Sequence, residues 1–213
     1  MMLVRDIMQP KVTTIPPKTT LPEAVRLARE RGIRHLPVVE GGELIGIVSD
    51  RDLKRAMASP ATSLEAHELA YLLDRLTVAE IMTRAVITVG PMSPLEDAAR
   101  LMVLERISAL PVTEGGRLVG IVSETDVLQL FVKAMGAEEA SSRLDVVLAD
   151  RPSALTEVVR TLEDAGVTIA SIMTLPGRAG LKEAVIRVRT INPGPAAKAL
   201  EARGYAVRES WRR

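Results

Sequence analysis

Apolar positions along this chain follow two periods, and both patterns occur twice. Val38-Val39 and Leu44-Ile45-Gly46-Ile47-Val48 are β-rich runs on either side of Glu40-Gly41-Gly42-Glu43, and paired glycines between such runs predict a hairpin. Ahead of it, Ala24, Leu27 and Ala28 recur at helical spacing behind Thr20-Leu21-Pro22-Glu23, a capping hydroxyl with a carboxylate three residues on. Slid forward until Val4 lies on Val78, the stretch up to Leu53 matches the stretch up to Val127 without a gap. Gly46-Ile47-Val48-Ser49-Asp50-Arg51-Asp52 returns as Gly120-Ile121-Val122-Ser123-Glu124-Thr125-Asp126, and Ser93-Pro94-Leu95-Glu96 reads as the second helix start. Self-similarity at a fixed period marks a repeated structural unit. Each unit is predicted as an extended lead-in, such as Val12-Thr13-Thr14-Ile15 stopped by Pro16-Pro17, then a helix, a hairpin and a second helix.

Beyond Arg143 the repeat is gone. Leu144–Ala149 reads as a strand, Ala154–Ala165 as a helix, and Val167–Leu175 with Lys182–Thr190 as a hairpin around Gly177 and Gly180. Pro195–Arg203 reads as a helix and Tyr205–Trp211 as a last strand. This βαββαβ order is the ferredoxin-like plan. Between the repeats, Ser59-Pro60-Ala61-Thr62-Ser63 reads as a linker followed by a helix over Leu64–Leu76. The expected organisation is a first repeat at 1–58, a linker at 59–76, a second repeat at 77–138 and a third domain at 143–213.

The chemistry sits where each hairpin hands over to a helix. Ser49 and Asp52 place a hydroxyl, free backbone N–H groups and a carboxylate around one small space. Hydroxyl and helix N-terminus suit a phosphate or sugar oxygen, and the carboxylate can accept from both hydroxyls of a ribose. Ser-x-x-Asp at a helix start is equally an ordinary capping box. The second copy, Ser123 and Asp126, retains both groups behind the same Gly-Ile-Val.

The pattern Thr14-Ile15, Ile33-Arg34-His35-Leu36-Pro37-Val38, Gly46-Ile47-Val48-Ser49-x-x-Asp52, with its second copy, resembles the cystathionine-β-synthase (CBS) domain. The resemblance implies an α+β fold: a tandem pair of β-α-β-β-α repeats with pseudo-twofold symmetry, binding adenosine nucleotides. It implies that Ser49 and Asp52, and Ser123 with Thr125 and Asp126, contact ribose or phosphate. It implies also that the backbone at Thr14-Ile15 and Thr88-Val89 reads the adenine edge, while Ile33 and Ile107, beside Pro37 and Pro111, pack on its face. Arg34, His35 and Arg51 would then make the first site the more cationic one, since the matching positions hold Ser108, Ala109 and Thr125. Leu148-Ala149-Asp150-Arg151-Pro152-Ser153-Ala154-Leu155 resembles the opening of an ACT domain, whose members often bind amino acids at this turn and pair sheets between subunits. The combination is similar to the acetoin-utilisation protein B family, which implies a link to acetoin or acetate metabolism, a homodimer and a regulated metabolic enzyme as partner.

Composition narrows these expectations. With 28 basic and 27 acidic residues the net charge is +1, so no bulk field favours nucleic acid or an anionic membrane. Aromatic residues at 2% make base-stacking platforms improbable, and the absence of cysteine removes thiolate chemistry and cysteine metal sites. No apolar run reaches the roughly 20 residues of a membrane span, and a cytoplasmic location is expected. Phosphate-loop, Gly-x-Gly-x-x-Gly, His-Glu-x-x-His and Gly-x-Ser-x-Gly motifs are absent, and His67 reads as a solvated helix residue. The expectation is a non-catalytic regulator that takes AMP, ADP or ATP as ligand and no metal. The alternatives are an amino-acid sensor, with the repeats as scaffold, and a purely structural oligomerisation module.

Overall fold

The computed structural model describes residues 2–58, 75–177 and 181–209, and the chain divides into two compact units, Met1–Val127 and Leu128–Arg213. The helix expected over Leu64–Leu76 lies up to residue 74 outside the described residues, as do His67 and the predicted strand end at Trp211.

In the first unit, helix α1 (Leu21–Arg31) precedes strands β1 (His35–Glu40) and β2 (Glu43–Ser49), and α2 (Asp50–Ala58) starts at the next residue. The second repeat supplies α3 (Val78–Ile81), α4 (Leu95–Glu105), β3 (Ala109–Glu114), β4 (Arg117–Ser123) and α5 (Glu124–Ala134), the last running past the unit boundary. Both hairpins turn on glycine pairs with positive φ, 61° and 89° at Gly41-Gly42 and 57° and 80° at Gly115-Gly116. A two-residue turn with both φ values positive matches strand twist, and only glycine adopts it without steric cost. The hairpins join edge to edge at a single pair, Glu43 opposite Arg117, giving a four-stranded sheet of order β1-β2-β4-β3.

Residues 12–15 lie outside any helix and Ile15 bridges Val38 in parallel, as the extended reading expects, but ahead of them each repeat opens on a helical turn. Val4–Asp6 forms a 3-10 turn and Val78–Ile81 a short α-helix, because Leu3 N–H donates to Asp6 Oδ2 (2.8 Å) and Thr77 N–H to Glu80 Oε2 (2.8 Å). Thr20 and Glu23 behave as predicted, with Thr20 N–H donating to Glu23 Oε2 at 2.9 Å. Ser93 does not cap α4: Pro94 occupies the N-cap, and the Ser93 hydroxyl accepts from Gly90 N–H at 3.2 Å.

Each lead-in packs on the other repeat. Gln9 exchanges backbone hydrogen bonds with Ile121 (2.8 and 3.0 Å), and Thr83 does the same with Ile47 (2.9 and 3.0 Å). Val78 and Met82, from the second repeat, lie in one buried cluster with Leu21, Leu36, Val38 and Val48 of the first. Full burial of such side chains contributes roughly 1.5–3 kcal/mol each, so the first repeat does not complete its core alone. The close approach explains Gly46 and Gly120: a Cβ on Gly46 would collide with Met82 Sδ, and one on Gly120 would lie 2.6 Å from Met8 Sδ.

The second unit contains β5 (Ser142–Leu148), α6 (Ala154–Asp164), β6 (Ile169–Pro176), β7 (Lys182–Val188), α7 (Gly194–Ala202) and β8 (Val207–Glu209). The order β6-β7-β5-β8, antiparallel throughout, is the ferredoxin-like topology that the element order predicts. Alternate residues Leu144, Val146 and Leu148 of β5 and Ala184, Ile186 and Val188 of β7 are buried in one cluster with Val158, Leu162, Ala197 and Leu200 of the two helices.

Candidate functional site

The β1–β2 register sets His35 opposite Ser49, and the β3–β4 register sets Ala109 opposite Ser123. At the first turn, Asp52 Oδ2 accepts from Ser49 N–H (2.9 Å) and from the Ser49 hydroxyl (2.6 Å), whose oxygen lies 3.3 Å from Asp52 N–H. The second turn repeats this, with Ser123 N–H and hydroxyl at 2.8 and 2.6 Å from Asp126 Oδ2. The capping box therefore forms in both copies. It consumes the serine proton and one carboxylate oxygen, which leaves the serine as an acceptor and the second oxygen, Oδ1, without a donor among the described residues.

Around the first turn lies a cleft of about 300 Å³. The first repeat contributes His35, Ser49, Arg51, Asp52 and Arg55, and the second contributes Val86, Ile87, Ile107 and Pro111. The site is thus composite, which corrects the assignment of one site to each repeat. Ile107 and Pro111, from the second repeat, line the cleft with Ser49 and Asp52 of the first. Ile33 is partly buried against the core cluster of the first repeat, and the Pro37 carbonyl accepts from Ile15 N–H at 3.1 Å. Arg34 reaches both turns: its Nη2 donates to Thr125 Oγ1 at 2.6 Å, and the residue borders a groove with His35, Asp50 and Arg51.

Thr88 and Val89 do not line the cleft; Val86 and Ile87 stand there instead, because Val89 is held in a parallel bridge by Pro111 O (3.1 Å) and Thr113 N–H (2.9 Å). Ile15 is buried and bridged in the same way to Pro37 and Val39, and with Thr14 it borders a different groove beside Glu23 and Arg26. Arg55 and Arg106 were not anticipated. Their signals are in the sequence: Arg55 lies one helical turn beyond Arg51, and Arg106 stands where the first repeat has Gly32.

Residues 4–59 and 78–133 each match the model of the CBS domain. The chain belongs to the CBS-domain family. Three solved structures resemble its CBS pair. The CBS domain pair of protein MJ0100, in complex with 5'-methylthioadenosine and S-adenosyl-L-methionine, is 31% identical with a TM-score of 0.54, covering 65% of this chain and 98% of its own. A proposed acetoin utilization protein (AcuB) from Vibrio cholerae is 30% identical with a TM-score of 0.54, covering 65% and 96%. CBSX2 in complex with AMP is 30% identical with a TM-score of 0.52, covering 62% and 96%. Two of these three structures hold adenosine-containing ligands.

Electrostatics distinguish the groups around the CBS clefts. Burial, reinforced by the neighbouring Arg34 guanidinium, pushes the His35 imidazole below its ordinary value, and His35 Nε2 shares a 2.9 Å hydrogen bond with Ser108 Oγ across the repeats. Both effects favour the uncharged imidazole. The Lys54 ammonium, 3.0 Å away, holds the Asp50 carboxyl below the usual range. Among the described residues no group of three or more His, Cys, Asp or Glu side chains converges to hold a metal ion.

At the turn where the ACT resemblance would place an amino acid, the polar groups satisfy one another. Arg151 makes two hydrogen bonds to the Glu157 carboxylate, which also accepts from Ser153 Oγ (2.8 Å) and Tyr205 OH (2.9 Å). Those bonds, Ser153 first, hold the Glu157 carboxyl below its ordinary value. Ser153, at the N-cap position of α6, has helical φ and ψ of −81° and −9°, and its side chain makes no cap hydrogen bond.

Proposed function

We propose that this chain is a regulatory sensor of an adenosine nucleotide, held in the composite cleft at Ser49 and Asp52. The observation that carries the reading is the Asp52 carboxylate: one oxygen is tied into the turn, and the other, Oδ1, has no donor among the described residues and is available to the two hydroxyls of a ribose. Val86, Ile107 and Pro111 supply apolar wall for a base. Because the walls come from both CBS repeats, an occupant favours one packing of the repeats over others, and that difference in affinity is the signal a bound partner enzyme would read. The likeness to the Vibrio cholerae protein supports a place in acetoin or acetate metabolism by analogy. The amino-acid alternative is less favoured, since a ligand at the Arg151 turn would have to break the bonds already formed to Glu157.

Isothermal titration of the full chain with AMP, ADP, ATP, S-adenosylmethionine and 5'-methylthioadenosine tests the reading. Loss of hydrogen bonds to a charged group, about 1.5–3 kcal/mol, predicts that Asp52→Asn weakens binding roughly 10- to 100-fold. Asp126→Asn reports on the second turn separately. Absence of binding by every adenosine compound, or full affinity in Asp52→Asn, would contradict the proposal.

A further inference from the structure

Three arginines converge on the composite cleft from two elements. Arg51 and Arg55 stand one turn apart on α2, and Arg106 follows the last turn of α4 from the other repeat. Among the described residues none of the three forms an ion pair. Asp50 at the same cleft is already paired with Lys54, which leaves Asp52 as the one carboxylate there to balance three guanidinium charges. The counterparts of Arg51, Arg55 and Arg106 in the other copy are Thr125, Gln129 and Gly32, all uncharged. The matching positions therefore differ in charge at residues other than Arg34 and His35.

Arg106 carries a second mark. Its φ of 56° lies in the left-handed region, and it is the only non-glycine with positive φ among the described residues. Gly32, at the equivalent C-cap of α1, has φ 62° and pays no Cβ penalty there. An L side chain in that conformation is unfavourable, and residues held in it cluster at ligand clamps. Chain geometry asks for glycine at this position, so the arginine is explained by its guanidinium.

We propose that Arg51, Arg55 and Arg106 form a phosphate cradle that makes the first cleft selective for nucleoside di- or triphosphates, with Arg55 and Arg106 as the specificity-determining residues. The inference rests on the adenosine reading above and adds the anionic part of the ligand. A run of two or three phosphates carries the charge and the acceptor oxygens that several guanidinium groups match. Bridging from α2 to the end of α4 joins the repeats, so the phosphates, more than the nucleoside, set their relative packing.

The test is calorimetric titration of the full chain with adenosine, AMP, ADP, ATP and inorganic triphosphate, in wild type, Arg55→Gln and Arg106→Gly. Wild type is expected to bind ATP or ADP at least about tenfold tighter than adenosine, with the gap narrowing as salt rises. Each variant should lose about tenfold for ATP while adenosine stays within about twofold. Arg106→Gly should melt no lower than wild type, because glycine suits the backbone there. Adenosine bound as tightly as ATP, or equal loss of both in the variants, overturns the cradle and leaves the adenosine reading standing. Triphosphate binding that needs both arginines, without any adenosine binding, supports the cradle and overturns the adenosine reading. No binding of any compound overturns both.

Discussion

Gly120→Ala tests the exchanged lead-ins most directly. A Cβ at residue 120 would lie 2.6 Å from Met8 Sδ, 3.1 Å from Met8 Cγ and 3.3 Å from the Gln9 carbonyl oxygen. The thioether can swing aside, at the loss of its packing. The carbonyl has less freedom, because Gln9 is pinned on both sides by its hydrogen bonds to Ile121, at 2.8 and 3.0 Å. Forcing a methyl group into such a contact costs about 1–3 kcal/mol. For a unit of 127 residues, an unfolding entropy of about 2.1 cal/mol/K per residue gives about 0.27 kcal/mol per degree. A cost of about 2 kcal/mol then lowers Tm by about 7 °C. Differential scanning calorimetry of the full chain reads this, and Met8→Ala provides the partner for a double-mutant cycle. Once the thioether is gone, Gly120→Ala should cost less, with a coupling of about 1 kcal/mol. Melting of Gly120→Ala within about 2 °C of wild type, or strictly additive effects of the two changes, would refute the packing of the first lead-in on the second hairpin.

Two further outcomes follow from the hydrogen-bond networks. His35 is held below its ordinary value in the folded state, so the unfolded chain binds more protons as pH falls below about 6.5 and stability falls with it. The Tm difference between pH 7.5 and 5.5 should shrink in His35→Gln, and an unchanged difference would show that His35 is not desolvated. Tyr205→Phe removes the single phenolic donor, which lies 2.9 Å from Glu157 Oε2 and 3.3 Å from the Ala154 carbonyl oxygen, a loss of about 1 kcal/mol. In that variant the Glu157 carboxyl should also titrate higher, and an NMR titration showing no movement would argue against the network.

Much of the fold was legible because its determinants are local. Gly41-Gly42 and Gly115-Gly116 specify their hairpins through backbone conformations that other residues avoid, and Thr20 with Glu23 announces a helix start through bonds spanning three residues. Ser49-x-x-Asp52 predicted a turn and the groups it displays, and the turn has the expected form. The βαββαβ order of the second unit followed from apolar periods and turn residues. The helical turns at Val4–Asp6 and Val78–Ile81 escaped notice because each is a single turn, too short to show a period.

The sequence by itself determined that there are two alike hairpins, each with a serine and an aspartate at its exit, and a third domain of different order. Only the tertiary structure decided how the two are combined. Two similar repeats present similar partners to one another, so no local pattern states whether Ile107 faces Asp52 or Asp126, or whether Arg34 reaches beyond its own turn to that of the other repeat. That choice depends on close approach across the repeats, permitted where Gly46 meets Met82 and Gly120 meets Met8, and on long-range bonds such as Arg34 to Thr125 and His35 to Ser108. The charges of the cleft could be counted along the chain. Their grouping could not, because it is fixed by contacts between residues some seventy or more positions apart.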